Sequence, residues 1–398
     1  MLWWRLMRIS LFFALLAAAV LEAAPPFSIP ARYLKEASEI PPYWVTTVEE
    51  VSAFLRDKVK RGSVETVGRT AGGREIKAVF YGRARQGAGT TTYSGSLGFR
   101  DVRAYIGPDH EKRVYMAMAA VHGGEWEAIA GMVNLLSVLE TGKDLRGKAW
   151  PGIQEAAAKL DRLILIPITN VDGRARIPLR MLADWGGDHT VQEYFNTGGW
   201  PPDGKLIGWP QVKEHIPLDF AKTQFPGGYP NDGGVNIQHD DFFSAKRQPE
   251  TQALLDLAAR ERPDVILNLH TGAQFIEPLR PFIEPTLMPV WESFYGRVRS
   301  RLATMGLQHS TDPVRAATLP RAASLNRYNL DTALHLHCGA LAFVIESPAH
   351  SFSTSKRDGQ PFRHTVDQLM DAQLTVHEEG MKLLLDTGGV SRWLSPKR

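Results

Sequence analysis

One cysteine, Cys338, in 398 residues rules out an internal disulfide, so stability has to come from a packed core rather than from cross-links. Net charge is scarce too. Lys and Arg number 46 against 43 Asp and Glu, a formal balance of +3, and no basic stripe is interleaved with aromatic residues. A nucleic-acid backbone would find no electrostatic footprint here, and no nucleic-acid partner is expected. The chain has no nucleotide-binding glycine loop, no nucleophile elbow, no cysteine cluster with zinc spacing and no internal repeat. Phosphate cradles, serine nucleophiles and thiolate-zinc sites therefore lack their signatures. The apolar run 9–21 is too short to span a bilayer comfortably.

What remains is an ordinary globular composition, 43% apolar, in a chain long enough for one sizeable catalytic domain. The stretch Val-His-Gly-Gly-Glu-Trp at 121–126 follows an apolar run, 114–121, that reads as a buried strand, and it precedes a helix-like stretch, 125–139. A His and a Glu three apart at the mouth of a strand can turn toward one ion, with paired glycines letting the backbone fold tightly beside it. A hydrolytic zinc site needs three protein ligands and one open position. His270 is the natural third, since it ends a second apolar run, Val-Ile-Leu-Asn-Leu-His at 265–270. Open α/β sheets place their chemistry beyond the carboxyl ends of such strands. Glu346 closes a third run, 340–346, where burying an acid without a purpose is costly, and it could serve as the base. Each residue taken alone has an ordinary explanation: a hydrogen-bonded core histidine, a chance His-x-x-Glu, or a glutamate paired with an arginine. Their order along the chain, with Asn-x-Asp-Gly and Gly-Val-Asn between them, is the more specific signal.

That order resembles the M14 zinc carboxypeptidase family. The matching stretches are Gly68-Arg-Thr-Ala-Gly-Gly-Arg74, His122-Gly-Gly-Glu125, Asn170-Val-Asp-Gly173, Gly234-Val-Asn-Ile-Gln-His-Asp-Asp-Phe242, Leu269-His270 and Phe343-Val-Ile-Glu346. The resemblance implies one zinc ion held by His122, Glu125 and His270, with Glu346 as general base and acid in the hydrolysis of a peptide or amide substrate. It also implies an arginine that polarises the scissile carbonyl. Several branches of the family carry it seven residues after the glycine of Asn-x-Asp-Gly, which is Arg180 here, with Arg174 and Arg176 as rivals.

Departures from the family pattern concern the substrate more than the reaction. Ordinary carboxypeptidases clamp the terminal carboxylate with an Asn-Arg pair, and the aligned positions here are Gln238 and His239. An imidazole lacks the bidentate fork of a guanidinium, so this clamp is not expected to work as it does elsewhere. Asn236 stands where an acid usually orients the first zinc histidine; Asp240 or Asp241 could substitute, or could cap a turn. Tyr328 is the candidate for a substrate-touching tyrosine ahead of the glutamate, and Arg315, Arg321 or Arg327 could replace the clamp. His335 and His337 alternate as strand residues would. The expected activity is that of a carboxypeptidase. The alternatives are an amidase or deacylase on cell-wall peptides or acylated amines, and a catalytically silent binding protein of the same fold.

The expected architecture is α/β, a mixed and mostly parallel central sheet with helices on both faces, because strands and helices alternate. Strands are expected at 75–81, 114–121, 163–169, 265–270 and 340–346. Helices are expected at 47–60 behind a Thr47-x-x-Glu50 capping box, and at 125–139, 249–262, 289–305 and 366–385. Arg5 and Arg8 ahead of the run 9–21, with Ala23-Ala24 and Pro25-Pro26 behind it, read as a signal peptide, 1–23, sending the chain to a bacterial periplasm or exterior; an uncleaved anchor is the alternative. No stable membrane insertion is expected after cleavage. An extension, 24–46, then leads into the catalytic domain, 47–388, and a tail, 389–398. Within the domain, 181–234 is rich in Gly, Pro and Trp and reads as a functional rim, with Trp185, Trp200, Trp209 and Tyr229 either binding substrate or packing the loop.

Overall fold

The computed structural model describes residues 27–98, 100–186, 188–272, 282–307, 328–350, 356–357, 360–361 and 364–394. The signal-peptide expectation and Arg315, Arg321 and Arg327 lie outside the described residues. Among the described residues, no helix is long and apolar enough to cross a membrane.

The strands among the described residues, in chain order, are β1 (Ser63–Arg69), β2 (Glu75–Gly82), β3 (Val114–Ala119), β4 (Arg162–Ile166), β5 (Gly199–Trp200), β6 (Lys205–Leu206), β7 (Val265–Gly272), β8 (Leu341–Pro348), β9 (Lys356–Arg357) and β10 (Gln360–Pro361). Six of them form the central sheet in the order β1-β2-β4-β3-β7-β8. The first two junctions are antiparallel, and β4, β3, β7 and β8 run parallel. Strands covered on both faces read as continuous apolar runs rather than alternating ones. That is why Val-Tyr-Met-Ala-Met-Ala of β3 is buried at every position. The edge strand β1 was not anticipated, because Ser-Val-Glu-Thr-Val-Gly-Arg is mostly exposed and its pairing with β2 is interrupted between Thr66 and Gly68.

The helices Trp126–Thr141, Pro151–Lys159, Met288–Thr304 and Val366–Thr387 pack as one group, while Pro249–Glu261 and Leu330–Cys338 pack on each other and the former lies against β1. The expected capping box opens the helix Val48–Lys58: Glu50 N–H donates to Thr47 Oγ1 at 3.1 Å, and Thr47 N–H donates to Glu50 Oε2 at 3.2 Å. A second box, Thr365 with Gln368, opens Val366–Thr387.

One expectation is corrected. His335 and His337 are helical, because Asn329 caps Leu330–Cys338 at its start and Gly339, left-handed at φ 79°, ends it. The two rings consequently do not share a face. His335 is buried, with Nδ1 against the Ala340 carbonyl at 2.9 Å and Nε2 accepting from Glu284 N–H at 2.9 Å, whereas His337 is exposed.

The region 181–234 carries more regular structure than its composition suggested: a helix, Thr190–Thr197, the ribbon β5–β6, and two short 3-10 turns, Gln211–Lys213 and Phe220–Lys222. The N-terminal extension is stitched to its entrance. Trp44 Nε1 and Thr46 Oγ1 both donate to the Arg180 carbonyl, at 2.9 and 2.7 Å, and Ala37 N–H donates to Met181 O.

Candidate metal centre

The parallel order β3-β7-β8 brings three chain ends to one rim of the sheet. Beyond β3 the backbone turns through Ala120, a non-glycine residue at φ 53°, a conformation that costs an L-residue about 1 kcal/mol and is held by neighbours. Asn170 N–H supplies one restraint, donating to Ala120 O at 2.8 Å. The two glycines that follow are required by close approach rather than by φ. A Cβ on Gly123 would meet the backbone of Gly173 and Arg174 at 2.2 to 2.3 Å, and one on Gly124 would meet Asn196 Oδ1 at 2.2 Å. Asn-Val-Asp-Gly thus abuts His-Gly-Gly-Glu directly.

His122, Glu125 and His270 are buried, at 4%, 1% and 3% exposure, and their ligand atoms form a compact group. His122 Nδ1 lies 2.8 Å from Glu125 Oε1, His270 Nδ1 lies 3.0 Å from Glu125 Oε2, and the two Nδ1 atoms are 3.2 Å apart. Two ring nitrogens and a carboxylate at such spacings lie close to the edge of about 3.3 Å expected between donors on a tetrahedral zinc with bonds of about 2.0–2.1 Å. His122 Nε2 faces Asn236 Oδ1 at 3.1 Å, so an N–H there leaves the Nδ1 lone pair pointing at the common focus. His270 Nε2 and Asn236 Nδ2 are buried without a hydrogen-bond partner among the described residues.

The electrostatics agree with this donor set. Burial alone would raise Glu125, yet the two facing imidazoles hold its carboxyl down at about 2. Burial lowers His122 further than Glu125 restores it, while at His270 the pull of Glu125, aided by Glu346, overcomes burial and lifts the imidazole to about 9. A buried carboxylate that holds a proton on its neighbour wants a cation at that point. The residues fit a zinc ion.

Glu346 is the direct cross-strand partner of His270 in the β7–β8 register. Paired residues on adjacent strands project to the same face, so the acid stands beside the second histidine. Its charge reaches both His270 and Tyr229.

A family model for the zinc carboxypeptidases, Peptidase_M14, matches residues 48–286, more than half of the chain. The chain belongs to this family. Among solved structures it is similar to a metallo-carboxypeptidase from Burkholderia cenocepacia, at 16% identity and TM-score 0.52 over 85% of this chain and 70% of that one. It is also similar to a protein from Burkholderia mallei named as a carboxypeptidase, at 16% identity and TM-score 0.50 over 84% and 67%. At these identities the likeness speaks for the fold. No curated protein matches the chain.

Within this M14 fold the other expected residues divide. Gln238 is buried, with Nε2 donating to Asp331 Oδ2 at 2.8 Å and Oε1 accepting from Asn268 Nδ2 at 3.0 Å. His239 sits beside Trp209, its imidazole hydrogen-bonded to the Tyr328 backbone, and burial pushes it down to about 3. The Tyr328 ring packs among Phe242, Phe243 and Phe282. Asp240 accepts from the N–H groups of Asp241 and of Gln248, the residue ahead of Pro249–Glu261, which holds the intervening turn, and Asn236 is the partner of His122.

None of the three arginines after Gly173 is unspent. Arg180 pairs with Glu50 at 2.6 Å with its side chain 44% exposed, against the N-terminus of Val48–Lys58 rather than against the ligand group. Arg174 is buried and donates to the carbonyls of Thr46, Ile177 and Leu179. Arg176 donates to Gly227 O and Pro230 O and pairs with Asp232 at 2.7 Å.

Of the four rim aromatics, Tyr229 stacks on His122 with centroids 3.6 Å apart and Trp209 meets Tyr229 at 6.0 Å, whereas Trp185 packs on Tyr33 and Trp200 on His215. Residues not singled out from sequence complete the surroundings. Asn268, the one polar side chain inside the run 265–269, bonds Asp331, and buried Glu127 receives both the N–H and Nδ1 of His350. The interruption of an apolar strand by Asn268 was the available signal.

Proposed function

We propose that this M14-family chain is a zinc-dependent metallopeptidase that hydrolyses a peptide or amide bond by attack of water, with carboxypeptidase action as its leading form. His122, Glu125 and His270 would hold the ion. When bound there, zinc supplies Lewis acidity toward the substrate carbonyl and makes water acidic enough to react near neutral pH. Asn236 keeps the His122 ring turned so that Nδ1 serves the site, and Tyr229 shields its face from solvent. Glu346, beside His270, takes the proton from the attacking water and hands it to the departing nitrogen, so no covalent enzyme intermediate is needed.

The observation that carries this reading is the convergence of two imidazole Nδ1 atoms on one buried carboxylate, with Glu346 in register opposite His270. Resemblance to the family assigns an oxyanion role to Arg180, and that role would require the guanidinium to leave Glu50. An amidase or deacylase acting on cell-wall peptides or acylated amines remains the alternative favoured by Gln238 and His239. Export to a periplasm or exterior is part of the same proposal and rests on residues 1–23 alone.

Chelation tests the reading. Hydrolysis of a peptide panel should vanish on metal removal and return with one equivalent of zinc. Unimpaired peptide binding with no turnover at any zinc loading would favour the silent binding protein instead.

A further inference from the structure

His122 and His270 each turn Nδ1 to the Glu125 carboxylate, but their outer nitrogens fare differently. His122 Nε2 faces the neutral amide of Asn236, with Oδ1 at 3.1 Å. His270 Nε2 is buried with no hydrogen-bond partner among the described residues. In a ligating imidazole with Nδ1 at the focus, the ring proton sits on Nε2. An unanswered N–H in a buried site is costly, so the groups packed around His270 decide how firmly that ring is held.

Asp331 is an acid among them. It lies in the first turn of Leu330–Cys338 and is fully buried. Gln238 Nε2 and Asn268 Nδ2 both donate to its Oδ2, at 2.8 and 3.1 Å, while Oδ1 is buried with no partner among the described residues. Asn268 precedes His270 by two residues on β7, so the two side chains project to the same face of the sheet. Gln238 joins from the other histidine: its N–H donates at 3.1 Å to Asn236 Oδ1, the atom that serves His122. A buried chain of hydrogen bonds therefore runs from His122 through Asn236 and Gln238 to Asp331 and Asn268. Asp331 and His270 feel each other's charge, and no lysine or arginine among the described residues pairs with this acid.

We propose that Asp331 is a positioning residue for the metal: across one bridging water its Oδ1 accepts from His270 Nε2–H and holds the ring with Nδ1 toward the ion. Oδ1 and Nε2 are not in direct hydrogen-bond contact, and a water that accepts from the ring and donates to the acid serves both. A carboxylate behind a ligating imidazole fixes its orientation and makes it a stronger donor. Asn236 gives the first histidine only an amide, and Asp331 gives the second an acid. The proposal rests on the metal centre of the reading above and names the residue that sets its affinity.

The test reads the metal and the ring apart from turnover. Zinc affinity of the wild type, Asp331→Asn and Gln238→Met is measured by competition with a chelator. Imidazole N–H protons are followed by NMR in protein carrying isotope-labelled histidine, with and without zinc. Asp331→Asn should weaken zinc binding by about 10–100-fold, whereas Gln238→Met, which removes a hydrogen bond to Asp331 but keeps the acid, should weaken it by less than about 3-fold. The His270 Nε2–H resonance should be low-field and slow to exchange in the wild type, with or without zinc, and should move upfield in Asp331→Asn. Zinc affinity indifferent to residue 331, or equal losses in the two variants, overturns the assignment. Should Asp331→Asn fail to fold, the wild type decides: a freely exchanging Nε2–H overturns the assignment and a protected low-field one upholds it. Hydrolysis is assayed on the same samples. Turnover with zinc binding that ignores residue 331 leaves the hydrolase reading standing, and Asp331-dependent zinc binding in a chain that hydrolyses nothing sinks that reading and keeps the assignment.

Discussion

At the ends of β7 and β8 the candidate side chains are set by strand register, whereas the rim from 181 to 239 sets its side chains by ring contacts and turns. His270 and Glu346 are neighbours because β7 and β8 pair residue for residue. Trp209 and His239 are neighbours because an anchored turn lies against a 3-10 segment, Ile237–His239. On the hydrolase reading, the first region can change little without losing the reaction. On the same reading, the second can vary and change only what is cut.

The sharpest way to break that comparison is at a ligand. His270→Ala should reduce bound zinc from near one equivalent to below about a tenth and abolish turnover, since losing a ligand exceeds the 10–100-fold affinity loss typical of its outer partners. Stoichiometric zinc in the purified variant, measured by atomic emission, would remove His270 from the site.

A smaller effect is expected where the rim is bolted to the turn between β1 and β2. Glu250 accepts from Ala71 N–H at 3.0 Å and from Asn231 Nδ2 at 2.9 Å, and burial raises its carboxyl to about 7. A folded value above the unfolded one, about 4.3, means that its stabilising share is complete below about pH 4 and is lost as pH rises through about 7. Glu250→Gln should therefore gain thermal stability relative to the wild type on going from pH 5 to pH 8. A melting-temperature difference independent of pH would contradict the assignment.

The smallest effect is expected at Arg180. As half of an exposed ion pair with Glu50, its removal should cost less than about 1 kcal/mol and leave turnover within about 3-fold. A kcat loss of 100-fold or more with normal folding would show that it swings from Glu50 to the substrate, in the oxyanion role that the family resemblance implies.

Sequence reading was strongest where apolar runs end in a polar residue. The runs before His122, His270 and Glu346 are buried parallel strands, and a charged or ligating residue at the close of such a run has few other reasons to be there. It was weakest where spacing is ambiguous. Leu-His-Leu-His alternates like a strand, yet Asn329 and Gly339 set helix ends around it, and a cap two turns away outweighs a two-residue pattern. The arginine after Asn-x-Asp-Gly could not be settled by counting residues, because all three guanidiniums find structural partners that only the folded chain brings near. The aromatic chain beside His122 was invisible for the same reason: residues 122, 209, 229 and 239 share no motif, and ring contacts bring them together.

The central claim is that one acid moves the proton at a site whose ion is held by three other residues. Zinc content and kcat measured on the same preparation of Glu346→Gln address it most directly. The account predicts one equivalent of zinc and a kcat lowered by at least about 10²–10⁴-fold, and near-normal turnover by that zinc-loaded variant would contradict it.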